Sequence, residues 1–177
     1  MVAKRMEVYH SSMETPVGKL SLVSTVNGLC RISFESKGEE GFFSWIEDKF
    51  PGAVLKKAPS KNREYVNSLR KYFSGGLRIF DLKLDLIAVG FQKVVLQKLA
   101  KVPYGKTISY GELAAKAGSP RAARAVGTAC ARNPLPIVIP CHRVITAGGT
   151  FGGFGGGFDV KRYLLRHEGI EIDSENS

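Results

Sequence analysis

This chain is poor in the residues that build metal centres and disulfide frameworks. It has three cysteines (Cys30, Cys130, Cys141), far apart and without a CxxC pair, and three histidines (His10, His142, His167). That set offers neither a zinc-ligand pattern nor a disulfide scaffold, so no metal and no cofactor is expected, and free thiols suit a reducing compartment. Long apolar runs are missing too: none approaches the roughly 20 residues that span a bilayer. Met1 to Glu7 lacks the apolar core of a signal peptide. The expected compartment is the cytoplasm, or the nucleus where the host has one, with no membrane partner.

Acidic residues are the third scarcity. There are 16 Asp+Glu against 26 Lys+Arg, a formal net charge of +10. The imbalance is concentrated between Phe91 and Glu168, where twelve Lys/Arg face three acids, a surplus of nine. Such asymmetry points to a polyanion, nucleic acid first among them, against the plainer alternative of a solvated basic face.

What is present divides the chain in two. The first half reads as a mixed α/β domain. Lys19 to Ser24 alternates like a half-buried strand, Asn27-Gly28 signals a hairpin, and Leu29 to Phe34 alternates again. Helices are expected over Glu40 to Phe50 and Lys61 to Phe73, and an extended segment over Asp81 to Leu86. Near Gly90 the period changes: Phe91, Val94, Val95, Leu99 and Val102 recur at helical spacing until Pro103-Tyr104-Gly105. The expected fold class is α+β, with a small N-terminal antiparallel sheet and helices (residues 1–88) packed on a mostly helical C-terminal domain (89–170). A polar tail (171–177) follows.

The second half carries stronger local signals. Ser109-Tyr110-Gly111-Glu112 is a capping box, opening a helix that should stop near Lys116 with Gly118 in the left-handed region. Ser119 and Pro120 then suggest a cap and first turn for a second helix, Arg121 to Arg132, ending at Asn133-Pro134. Two short helices across a tight glycine turn form a helix-turn-helix candidate. The second helix is rich in small residues (Ala122, Ala123, Ala125, Gly127, Ala129) and carries Arg121, Arg124 and Arg132. It lacks Asn and Gln for reading adenine, which favours binding by shape and phosphate contact. Tight helix packing is the other reading of those small residues.

Pro140-Cys141-His142-Arg143-Val144 follows the apolar run Ile137-Val138-Ile139. A thiol nucleophile acts as thiolate, and a neighbouring base or cation brings its pKa toward neutrality. An unpaired cysteine there also reads as a small buried hydrophobe. Neighbours i and i+1 do not face one another in regular structure, so His142 could serve Cys141 only through a turn or a water. Gly148 to Gly157 fits no GxGxxG register and reads as a loop able to approach a ligand, or as a plain connector. Asp159 is expected to cap the last helix and Gly169 to end it. Val160, Leu164 and Glu168 fall on one stripe, so Glu168 should face inward and need a partner such as an imidazole, the other reading being an exposed Glu at a fraying helix end. Glu orienting His, and His activating Cys, is triad logic.

Together, RAVG (Arg124–Gly127), Asn133-Pro134, PCHRV (Pro140–Val144) and KRYLLRHEG (Lys161–Gly169) resemble the methylated-DNA–protein-cysteine methyltransferases, the O6-alkylguanine–DNA alkyltransferases. TPVGKL (Thr15–Leu20) adds a weaker match in the first half. The resemblance implies a monomer that binds double-stranded DNA with a helix-turn-helix in the minor groove and little sequence preference. It would flip the damaged guanine and take its alkyl group irreversibly onto Cys141. His142 would be the base through a water, Glu168 its orienting partner, Asn133 the shaper of the turn, and Tyr110 the donor to the leaving guanine. Arg124 would replace the extruded base, with Ser109, Arg121, Ala123, Gly127 and Arg132 along the DNA. Pro136, Val144, Phe154, Gly155 and Lys161 would form the pocket. Where relatives often carry Tyr-Ser or Tyr-Arg, this chain has Phe154-Gly155. Phe154 lacks the hydroxyl and Gly155 offers only a backbone N–H. Two other classes remain at this point: a non-enzymatic sensor of alkylated guanine, and a Cys-His thiol hydrolase.

Overall fold

The computed structural model describes residues 5–35 and 39–172, and it divides into two compact units after Ile87. The expected polar tail lies mostly outside the described residues, which end at Ile172. Among the described residues no helix is long and apolar enough to cross a membrane.

The first unit is built on β1 (Glu7–Met13), β2 (Leu20–Thr25), β3 (Gly28–Phe34) and β4 (Val54–Lys57), in the order β3-β2-β1-β4. β2 and β3 form the expected antiparallel hairpin, β1 adds to it antiparallel along β2, and β4 joins β1 in parallel, so the sheet is not wholly antiparallel. β1 and β4 were not legible from alternation, because β1 holds His10, Ser11 and Ser12 together and β4 ends on Lys56 and Lys57. The helices α1 (Glu39–Lys49) and α2 (Arg63–Phe73) form where the apolar spacing places them. Phe42 and Ile46 of α1, with Phe50 beyond it, pack on Val8, Val23 and Cys30. Cys30 is fully buried, with its pKa pushed up to about 12 by burial. It is a core residue and inert.

The extended segment near residue 84 runs beside β3. Leu29 N donates to Lys83 O at 2.9 Å and Asp85 N to Leu29 O at 2.9 Å. This approach is possible only because residue 28 is glycine: its φ is +141°, and a Cβ there would lie 2.4 Å from the Lys83 carbonyl oxygen. Gly28→Ala is therefore expected to destabilise the chain by about 2–5 kcal/mol, combining left-handed strain with overpacking. Urea unfolding measures this, and a loss under 1 kcal/mol would contradict the close contact.

The second unit contains α3 (Gly90–Leu99), β5 (Ile108–Ser109), α4 (Tyr110–Lys116), α5 (Ala123–Ala131), β6 (Val144–Ile145) and α6 (Phe158–His167). Two expected caps are corrected here. Ser119 does not cap α5: Ala122 N bonds to Ser119 O at 2.9 Å, closing a turn, and the helix starts at Ala123. Ser followed by Pro is equally the signature of a β-turn, and the turn wins, leaving Arg121 in it ahead of the helix. Asp159 does not cap α6 either. Gly157 is the N-cap at φ +91°, and Asp159 lies in the first turn, where its charge suits the helix dipole. The capping box forms as expected, with Ser109 Oγ accepting from Glu112 N at 3.2 Å and Glu112 Oε2 accepting from Ser109 N at 2.8 Å. Gly118 ends α4 at φ +81° and Gly169 follows α6 at φ +78°. α4, α5 and α3 pack on one another through Leu113, Ala114, Val126, Ala129, Val95 and Leu99, all buried.

Candidate active site

The site grows from the segment between α5 and β6. Asn133 follows the last turn of α5. Its Nδ2 donates to Ile139 O at 2.8 Å and to Cys141 Sγ at 3.2 Å, while its Oδ1 accepts from Leu135 N at 3.0 Å. One amide therefore ties both ends of the intervening loop and touches the thiol. The loop needs tying, because Ile137 sits at φ +76°, the one non-glycine residue with positive φ among those described. A β-branched residue there is strained by about 1–3 kcal/mol. Burial of Leu135, Ile137 and Ile139 holds it in place, and Pro136 is buried in the same loop. Cys141, His142 and Arg143 then form a single 3-10 turn. Such a turn sends successive side chains apart, and each finds different company.

His142 is fully buried, with Nε2 2.8 Å from Glu168 Oε1. Glu168 is indeed inward, at the C-cap of α6. It also accepts Arg143 Nε at 2.8 Å, Arg143 Nη2 at 3.0 Å and Gly105 N at 3.2 Å. Burial opposes the Glu168 charge, but the hydrogen bonds from His142 and Arg143 outweigh it and hold the carboxyl at about 2. Burial lowers the His142 pKa despite Glu168, so the imidazole is neutral at pH 7. With Nε2–H donated to the carboxylate, Nδ1 keeps its lone pair. That atom is buried and has no partner among the described residues.

Arg143 is the residue whose role the sequence reading missed. Its guanidinium does not flank the thiol: it forks onto Glu168, donates to Val102 O and lies 5.9 Å from the centre of the Tyr104 ring. Nor is the thiol pKa brought down in this structure. Burial raises it, against smaller opposing effects of Asn133, Lys161 and the amides of Cys141 and His142. The expectation of a cation beside Cys141 therefore passes from Arg143 to Lys161. Lys161 is completely buried, donates to Val144 O at 2.6 Å and Gly152 O at 3.2 Å, and is held at about 8 by burial. Val144 itself is fully buried, and its carbonyl is taken by Lys161. Cys130 on α5 is a second thiol within electrostatic reach of Cys141, raised to about 12 by burial.

A short parallel ladder, Ile108 with Val144 and Ser109 with Ile145, sets the start of α4 beside this turn. It brings Tyr110 in. Tyr110 lies against Gly127 of α5, and a Cβ on Gly152 would fall 2.2 Å from its hydroxyl oxygen. Burial, with Cys130 and Cys141 nearby, raises the Tyr110 pKa to about 12, so it remains a proton donor. Phe154 meets the His142 ring edge-on at 6.5 Å, and Gly155 follows it, half-buried. The glycine-rich segment is thus tied to the site at Gly152, which supports close backbone approach over a plain connector. Arg121, Arg124 and Arg132 are all exposed, with Ala123 and Gly127 half-buried along α5 and Ser109 engaged in its cap.

Cys141 and the His142–Glu168 pair are thus buried together in a unit whose α5 and its flanks carry exposed arginines. Residues 8–86 match the family model described as 6-O-methylguanine DNA methyltransferase, ribonuclease-like domain, and residues 90–170 match its DNA binding domain. The chain belongs to the 6-O-methylguanine DNA methyltransferase family. It is 39% identical to the methylated-DNA–protein-cysteine methyltransferase of Methanosarcina acetivorans, across 92% of this chain and 99% of that one. The Mycobacterium bovis protein of the same name is 40% identical, across 91% and 92%. Among solved structures, the Mycobacterium tuberculosis O6-methylguanine methyltransferase superposes with a TM-score of 0.79 at 36% identity, covering 95% of this chain and 96% of that one. A Mycobacterium tuberculosis structure in complex with DNA gives 0.78 at 36% identity, covering 90% and 92%.

Proposed function

We propose that this chain repairs O6-alkylguanine in double-stranded DNA by moving the alkyl group, chiefly methyl, to Cys141 in a single turnover. The observation that carries the reading is His142, held by Glu168 through Nε2 with its Nδ1 lone pair unpartnered, one residue from a thiol that burial keeps protonated. A protonated thiol needs a base, and a base held so is what the site offers. His142 Nδ1 takes the Cys141 proton through one water, and Lys161 and the Asn133 amide stabilise the thiolate. The sulfur attacks the alkyl carbon in line. An S–C bond forms, the C–O6 bond breaks, and its electron pair leaves with guanine. Tyr110 supplies the proton that guanine N3 takes and recovers one through water from the His142 imidazolium, so the net proton passes from Cys141 to guanine. The thioether is stable, and the protein is spent.

Reaching the carbon requires the nucleotide to leave the stack, at a cost of a few kcal/mol. Arg124, exposed in the first turn of α5, fills the space from the minor groove, while Arg121 and Arg132 hold phosphates. Gly127 and Ala123 keep the helix face low enough for close approach, and Ser109 lies at the edge of the contact. Pro136, Val144, Phe154, Gly155 and Lys161 surround the flipped base. The cytoplasm, or the nucleus where there is one, is where its DNA would be met. The domains assigned to this work are 1–88 and 89–170, the second holding the whole relay.

The test is a duplex with radiolabelled methyl on guanine O6. One label per protein on Cys141, lost in Cys141→Ser, supports the proposal. Lesion binding without transfer would make the chain a sensor of alkylated guanine and overturn it. Turnover of a thioester instead would indicate a hydrolase. Arg124→Ala is expected to slow repair in duplex DNA at least tenfold while sparing reaction with free benzylated guanine. Equal loss on both substrates would remove Arg124 from the base-replacing role.

A further inference from the structure

Four lysines outside the site converge on one groove. Lys98 from the last turn of α3, Lys101 and Lys106 from the connection to β5, and Lys116 from α4 line a cavity of about 400 Å³. All four are exposed, and one carboxylate, Glu112, shares the groove with them. Glu112 is already committed to the amide of Ser109 at 2.8 Å. Lys98 and Lys116 also suit the C-terminal turns of α3 and α4, whereas Lys101 and Lys106 belong to no helix, so the groove holds more positive charge than its helix ends require.

This groove faces away from the reaction. At about 100° per helical residue, Glu112 and Lys116 lie roughly 200° and 240° around α4 from Tyr110. Tyr110 is the residue that meets Gly127 of α5 and Gly152, and no α5 residue lines the groove. A duplex lying along α5 meets the opposite side of α4. The groove also lacks free aliphatic anchors, since Val102 and Ile108 in its wall are only 8% and 6% exposed. An acidic protein segment docking there would have few pockets for its side chains. A phosphodiester backbone needs only the charge, and Lys is a point-charge phosphate ligand.

We infer that this lysine groove binds the phosphodiester backbone of a second DNA segment while α5 engages the first. The inference takes the DNA partner from the proposed function but does not depend on alkyl transfer. Its consequence is direct passage between DNA segments during lesion search, without release into solution.

The test uses the full chain with two distinguishable duplexes. Sedimentation velocity on the lesion duplex bound to Cys141→Ser, followed by addition of an undamaged duplex at low salt, is expected to show one protein with two duplexes. Lys98→Gln/Lys101→Gln/Lys106→Gln/Lys116→Gln, in the same background, should hold one duplex only. With about 0.9 of log–log salt slope per phosphate, engagement of four phosphates predicts that affinity for the second duplex falls about a hundredfold between 50 and 200 mM salt. The four lysine substitutions in the Cys141-containing chain should leave single-turnover repair of the lesion duplex within twofold. Absence of the two-duplex complex, or its survival in the lysine variant, overturns the inference. Preferential capture of poly-glutamate over duplex would overturn it too, assigning the groove to an acidic protein. If methyl transfer to Cys141 fails while the two-duplex complex forms, the repair reading falls and this one stands.

Discussion

Glu168→Gln should strongly lower both stability and the rate of transfer. The carboxylate answers the buried Arg143 guanidinium and orients His142. Removing its charge leaves Arg143 buried without a counter-ion, which costs about 3–5 kcal/mol. It also frees the imidazole to turn, and loss of a positioned base costs at least about a hundredfold in rate. Urea unfolding and single-turnover transfer separate the two effects. The double variant Glu168→Gln/Arg143→Met removes both charges together, so much of the stability should return while the rate stays low. Recovery of the rate along with the stability would mean that Glu168 acts only structurally.

The same pair sets an acid limit. The Glu168 pKa is depressed from its ordinary range to about 2. Its contribution is complete above the unfolded pKa near 4.5 and is lost as pH falls toward 2, about 3 kcal/mol in all. His142 adds in the same direction: its pKa is lowered by burial, so stability drops as pH falls below its unfolded value and the unfolded state takes up the proton. Urea midpoints at pH 7, 5 and 3 should fall steeply for the native chain. The fall between pH 5 and 3 should be shallower in Glu168→Gln, and parallel curves would show that the carboxylate is not held as described.

Gly152→Ala carries the second large effect, through a residue that does no chemistry. Its Cβ would lie 2.2 Å from the Tyr110 hydroxyl, so either the ring or the glycine-rich segment must move. Movement of the ring takes the donor from guanine, and movement of the segment takes the Gly152 carbonyl from Lys161. Transfer from methylated duplex is expected to slow by about 10²-fold, within the range for loss of a proton donor, with a stability loss of about 1–3 kcal/mol from overpacking. Tyr110→Phe is the control. It should reproduce the rate loss with little change in stability, and adding Gly152→Ala to it should cost little further rate. Full additivity of the two would separate Gly152 from Tyr110.

Much of this was legible in the sequence, for reasons that differ by residue. The Ser109–Glu112 capping box and the glycines after α4 and α6 are satisfied by groups within a few residues, so local chemistry decides them. Glu168 could be placed inward because helical period alone carries it from Leu164. Ser119-Pro120 misled because the same pair opens a turn or a helix, and only packing of α5 on α4 selects between them. β1 and β4 were missed because their polar residues break alternation, and their place depends on partners from other strands. The place of Arg143 was not legible for the same reason: adjacency to Cys141 in the chain says nothing about where a long side chain ends.

The sequence by itself determined the local elements of the second unit, its positive charge and the set of residues from which a thiol relay can be built. Only the tertiary structure decided how that set is wired. His142 meets Glu168 across 26 residues and Arg143 meets Val102 across 41. A buried charge takes whichever partner the packing of distant segments brings within reach. Here that packing gave the guanidinium to Glu168, left burial to raise the Cys141 pKa, and put Gly152 against Tyr110.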